Sequence, residues 1–102
     1  MNVVTLQPAL TMSPGRVLDV LARTLRDERN AADLHPAVAA FQAQLDPLTL
    51  RAYEAGEVVP PWPTLARLLA LYETPGELIA LCRRLMEESD LIQPHPSAAL
   101  AA

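Results

Sequence analysis

Apolar residues in this chain recur every three or four positions, in short blocks that each open close to a proline. Leu18, Leu21 and Leu25 share one face of a first segment. Leu65, Leu68, Leu69 and Tyr72 form a similar stripe further on, and Leu78, Leu81, Cys82 and Leu85 form another. This is the period of an amphipathic helix, not of a strand. Pro14, Pro36, Pro47, Pro63 and Pro75 each follow a candidate cap and precede such a segment. Proline suits the first helical position because its missing N–H would have gone unpaired there anyway. Ser13, Asp46 and Thr74 are good caps, and Thr74 with Glu77 has the capping-box spacing, whereas His35 and Trp62 are weaker ones. Gly56 falls where a left-handed residue would end the third segment. The pattern predicts five helices, over residues 14–30, 36–43, 47–55, 63–73 and 75–90. Residues 1–13 then form an arm, in which Val3-Val4-Thr5-Leu6 allows a short strand if it finds a partner. Residues 91–102, rich in Ala and Pro, read as a flexible tail.

Composition agrees with an all-α chain of one domain. Leu and Ala dominate, β-branched residues are few, and Phe, Trp and Tyr are rare in 102 residues. There is no lysine, so every formal positive charge is one of eight arginines, and the net charge is −4. An acidic chain argues against indiscriminate nucleic-acid binding. The acidity is uneven, however. Residues 21–72 hold five Arg against six acids, while the end of the chain holds Arg83 and Arg84 against Glu73, Glu77, Glu87, Glu88 and Asp90. A single cysteine, Cys82, excludes an internal disulfide and suits a reducing compartment. No signal-peptide pattern and no long apolar run stand out, so a cytoplasmic location is expected.

The stretch from Tyr53 to Pro60, Tyr-Glu-Ala-Gly-Glu-Val-Val-Pro, followed by Thr64-Leu65-Ala66-Arg67-Leu68, resembles the DNA-binding domain of the XRE (Cro/phage-repressor) transcriptional regulators. The likeness runs from Leu21 to Tyr72 without a gap. Leu21, Leu25 and Leu34 take its first apolar positions, and Ala40 its small residue between two close helices. Leu45 and Leu50 take those of the turn and the recognition helix. The resemblance implies a five-helix repressor-like helix-turn-helix domain over residues 14–90, and a non-catalytic, homodimeric regulator that occupies operator DNA. It also implies an ion pair between Arg29 and Glu54, tying the first helix to the end of the recognition helix.

On that frame Leu48, Arg51 and Ala52 share the outward face of the third helix with Ala55, by helical spacing. Arg51 has the chemistry to pair with a guanine and Leu48 to touch a thymine methyl. Arg23 and Arg26, with the N–H groups opening the third helix, are candidate phosphate contacts. Pro36 and Pro47 stand at contact positions and bring no amide hydrogen, and Leu48 with Ala52 is as suited to another protein as to a groove. A degenerate helix-turn-helix that grips a protein partner is therefore the alternative function. The remaining chemistry is sparse. Cys82 lies within an apolar stripe, and neither His35 nor His95 has neighbouring ligands at metal spacing. No phosphate loop or catalytic triad is evident, so neither cofactor nor enzyme activity is expected. Trp62 reads as a plug packing its loop onto the core. Ile79 and Met86, beside the main stripe of the fifth helix, suggest a dimer contact.

Overall fold

Among the described residues every helix begins at or next to a proline and ends in the same left-handed stop. The computed structural model describes residues 12–91. They form α1 (Pro14–Ala31), α2 (Pro36–Gln42), α3 (Pro47–Glu54), α4 (Trp62–Leu71) and α5 (Gly76–Glu88), with no strand among the described residues. The strand considered for Val3–Leu6 and nearly all of the arm and tail lie outside them. At the two ends that are described, Met12 and Leu91 pack against the core.

The helix starts follow the expected chemistry at three of five positions. The Ser13 hydroxyl accepts from the Arg16 N–H at 3.2 Å, and a carboxylate oxygen of Asp46 accepts from the Leu48 N–H at 2.8 Å. His35, expected to cap poorly, also caps: its Nδ1 accepts from the Ala37 N–H at 3.1 Å, which requires an unprotonated nitrogen there. The other two starts differ from expectation. Pro63 is the second residue of α4, and Pro75 is itself the cap of α5, neither helix having a side-chain cap. The capping box at Thr74 does not form. Its backbone N–H already donates to the Leu69 carbonyl at 2.9 Å, closing α4, so nothing is left for Glu77. The Thr74 hydroxyl is buried without a partner.

The helix ends share one device. Asp33, Gln44, Gly56, Glu73 and Asp90 all have φ between +56° and +73°. In each case the left-handed residue and its successor turn their N–H groups back onto carbonyls of the last turn. Leu34 donates to Arg29, Leu45 to Ala40, Glu57 to Ala52, Thr74 to Leu69 and Leu91 to Met86. This paired closure satisfies carbonyls that a helix end otherwise leaves open. Leu34, Leu45 and Leu91 then fold against the core, so each stop also aims the chain inward.

The core is built from all five helices. Val17, Leu21, Ala22 and Leu25 come from α1, Ala39 and Ala40 from α2, Leu50 and Tyr53 from α3, Leu65, Leu68 and Leu69 from α4, and Cys82 and Met86 from α5. The alanines let α2 approach closely, and Pro60 and Trp62 pack the loop between α3 and α4. Arg83 lies over the Trp62 ring, 5.7 Å from its centroid. The inward face of α5 is rotated from the expected one. Met86 is fully buried, whereas Leu81 is exposed. Met86 therefore belongs to the core and is not available to a dimer contact.

Gly56 is the only glycine among the five left-handed stops, and a Cβ there meets only ordinary contacts with Asp19 and Ala22. Gly56→Ala is expected to lose about 1 kcal/mol through backbone strain alone. Gln44→Gly, at φ +60°, is expected to be neutral or stabilising by up to about 1 kcal/mol, the relief of strain exceeding the added freedom of the unfolded chain. Urea titration of both variants checks the pair of signs.

Candidate nucleic-acid interface

The α2–α3 corner is held by a buried ion pair. Arg29, near the end of α1, donates from Nε to one Glu54 carboxylate oxygen at 2.8 Å and from Nη2 to the other at 3.0 Å. Both side chains are about 10% exposed. A bidentate fork of this kind fixes orientation as well as distance. Hydrogen bonding to Glu54 raises the affinity of Arg29 for its proton, against the opposing effect of burial. The Arg29 Nη1 also donates to the Leu34 carbonyl at 2.9 Å, so one guanidinium closes the end of α1 and anchors the end of α3. Arg26, one turn earlier, donates from Nη1 to the Glu54 backbone carbonyl at 2.9 Å. Both cations thus face the negative end of the α3 dipole.

This arrangement leaves α3 with its outer face in solvent. Leu48 is 70% exposed, and Arg51 and Ala55 are exposed, while Ala52 is half-buried. The four do not present one open stripe, because Ala52 turns partly towards the protein. Of the arginines named from sequence, Arg51 and Arg23 have no hydrogen bond or ion pair among the described residues. Arg26 spends one of its N–H groups on α3. Arg23 lies on α1 between Asp19 and Asp27, at four-residue spacing on either side, in a shallow groove that Arg16 also lines. Neighbouring carboxylates at that spacing offset its charge.

The opening of α3 offers less to a phosphate than its sequence implied. Pro47 has no amide hydrogen, the Leu48 N–H is held by the Asp46 carboxylate, and the Thr49 and Leu50 N–H groups both reach the Asp46 carbonyl. No N–H in the first turn is free, and a carboxylate occupies the anion-binding end of the dipole. These amides, named above as candidate phosphate contacts, are therefore not available to a phosphate.

Two exposed apolar residues on α2 escaped the sequence reading. Phe41 is 82% exposed and Val38 is 43% exposed, one turn apart. The signal was present: Ala39, Ala40 and Ala43 are the inward positions of α2, so Phe41 falls on its outer side. Val58, in the loop after α3, is also largely exposed. Trp62 is half-buried against the core, in the position of a loop plug. Cys82 is buried and its thiol is pushed up to about 11 by burial and by the charge of Glu28, so it stays protonated and unreactive near neutrality. No group of metal-ligating side chains occurs among the described residues, and no described helix is long and apolar enough to cross a membrane.

Removing half of the ion pair strands a charge. Glu54→Gln is expected to destabilise the fold by about 3–5 kcal/mol, and the double change Arg29→Met with Glu54→Leu to recover much of that loss. Chemical denaturation of the three proteins checks this, and a double variant no better than the single one contradicts it. Tyr72 supplies a pH test. Its hydroxyl is buried without a partner, and burial, then the charge of Glu54, pushes its pKa up to about 12 from 10.0. The folded state therefore holds the proton more tightly than the unfolded chain, so this contribution is intact below pH 10 and is lost as pH rises towards 12. Tyr72→Phe is expected to be about 1 kcal/mol more stable at neutrality, by removing an unsatisfied hydroxyl. It is also expected to flatten the stability decline above pH 10, read by melting temperature against pH.

Comparison with curated proteins gives no significant match, nor does comparison with solved structures. A family model described as a helix-turn-helix domain matches residues 20–82, which span α1 from its second turn through the N-terminal half of α5. The match takes in the Arg29–Glu54 pair, the α2–α3 corner and the outward face of α3. It covers more than half the chain, with the five-helix order and the exposed third helix already described, and the chain belongs to the helix-turn-helix domain family.

Proposed function

We propose that this protein is a non-catalytic DNA-binding transcriptional regulator of the XRE type, acting in the cytoplasm as a homodimer at operator sites. The observation that carries this reading is Arg51. It is the one cation on the outer face of α3, it is exposed, and it has no partner among the described residues. In a helix-turn-helix domain the third helix lies in the major groove, and a free arginine there pairs with the O6 and N7 of guanine. Leu48 adds apolar contact to a thymine methyl. Arg23 and the remaining N–H groups of Arg26 serve the phosphates on either side. A dimer brings two such helices to successive half-sites. The exposed Leu81, beside the half-buried Leu78 and Leu85 on α5, supplies an apolar contact for it.

A second reading has its own support. Phe41 on α2, Leu48 at the start of α3 and Val58 in the loop after it are exposed, and the Asp46 carboxylate closes the anion site at the start of α3. This chemistry favours a protein partner over a polyanion. One set of variants separates the two. Under the DNA reading, fluorescence anisotropy against genomic fragments at low salt gives binding tighter than to random duplex, and Arg51→Ala weakens it by about 1–3 kcal/mol. Binding no tighter than to random duplex, or indifferent to Arg51→Ala, overturns it. Under the protein reading, a stoichiometric partner is captured from the native host, and Leu48→Glu releases it.

A further inference from the structure

We propose that an open cleft at the meeting point of three helix ends binds a small organic cation, an alkylammonium or alkylguanidinium compound. The cleft has a volume of about 470 Å³ and is lined by residues from the ends of α1, α2 and α4. That size is within the range of small-molecule sites, roughly 300–1,000 Å³. It lies away from the outward face of α3, none of whose residues lines it.

Three observations give the cleft its chemistry. First, α1, α2 and α4 all present their C-terminal ends to it, and each such end carries roughly half a negative charge. Second, the last helical residues, Ala31, Gln42 and Leu71, all line the cleft, and their carbonyls accept no hydrogen bond from the described residues. The left-handed stops satisfy the carbonyls before these and leave these open. Third, the charged side chains of the wall are Glu28 and Glu73, both acidic, and no lining residue is basic. The two arginines that act on nearby carbonyls are already engaged. Arg29 is neutralised by Glu54 while it holds the Leu34 carbonyl, and Arg67 donates to the Ala43 carbonyl at 3.3 Å.

The cleft is therefore rich in acceptors, with the Gln42 amide and the Tyr72 hydroxyl as its only side-chain donors and no cation in its wall. Its complement is a group that carries positive charge and several N–H donors but no acceptor, which describes an ammonium or a guanidinium. A metal ion is a poorer fit, since no set of three metal-ligating side chains exists among the described residues. Ala32, Leu34 and Leu71 give the wall an apolar part, against which a short alkyl arm can lie while its charged head meets Glu73 and the open carbonyls. Tyr72, buried in the same wall with its hydroxyl unpartnered, keeps that side aromatic and free of competing charge.

The test is an NMR titration of the isotope-labelled protein at low salt with putrescine and with agmatine. Tetramethylammonium, which has the charge without the N–H donors, and butanol, which has the alkyl arm without the charge, are the controls. The expected result is saturable shifts confined to the amides around residues 28–34, 42–44 and 71–74 with the two amines and not with the controls. The double variant Glu28→Gln, Glu73→Gln keeps its melting temperature and binds about tenfold more weakly. Absence of saturable shifts overturns the proposal. So does an equal response to tetramethylammonium, or undiminished binding by the double variant. These variants leave α3 unchanged, so the outcome is separate from any test of DNA binding.

Discussion

The fork between Arg29 and Glu54 is the constraint on which the rest of the architecture depends. α3 has eight residues, too short to persist alone in water, and its hydrophobic contribution is largely Leu50 and Tyr53. Its direction is set where Glu54 meets the guanidinium and where Arg26 reaches the last carbonyl. Because the same Arg29 also holds the Leu34 carbonyl, the end of α1, the turn into α2 and the end of α3 share one cation. Burying two charges gains little net stability against an apolar pair of equal size. What it secures is geometry. Only one rotation of α3 satisfies both carboxylate oxygens, and that rotation puts Arg51 and Leu48 outward.

The arginines of this protein divide by what they touch. Arg26, Arg29 and Arg67 reach backbone carbonyls at or just beyond the ends of helices, where their charge offsets the dipole. Arg83 packs on Trp62 and pairs with Glu87. Counting positive charge along the chain therefore overstates what the surface offers a polyanion. Only Arg29 is buried, but Arg26, Arg67 and Arg83 spend N–H groups on the protein itself, and the outer face of α3 carries one free arginine among apolar groups.

Much of the fold was legible because proline and left-handed stops act locally. The starts at Pro14, Pro36 and Pro47 and the end at Gly56 rest on backbone chemistry that needs no tertiary context, and they stand where the pattern put them. The failures all involve groups claimed by two neighbours. Thr74 looked like a cap, but its N–H belongs to the closure of α4. Leu81 and Met86 both fit an apolar stripe of α5, and only packing against the other helices selects Met86. At the candidate site, residue spacing was enough to put Leu48 and Arg51 on one face. The Asp46 cap was legible too, being a local bond to the Leu48 N–H, whereas the exposure of Phe41 was not, since it depends on how the corner closes.

The Asp46 cap has a consequence for how any duplex must approach. A helix that opens with its amides consumed and a carboxylate at its tip cannot be drawn in point first by phosphate attraction. A duplex meeting this corner must be engaged along the flank of α3, through Arg51 and the apolar groups beside it. In the proposed complex the opening of α3 releases no counterions, so any salt dependence comes from the arginines of α1 and α3 alone. For the DNA reading proposed above, the cap at the start of α3 thereby shifts the weight of recognition from phosphates to base edges.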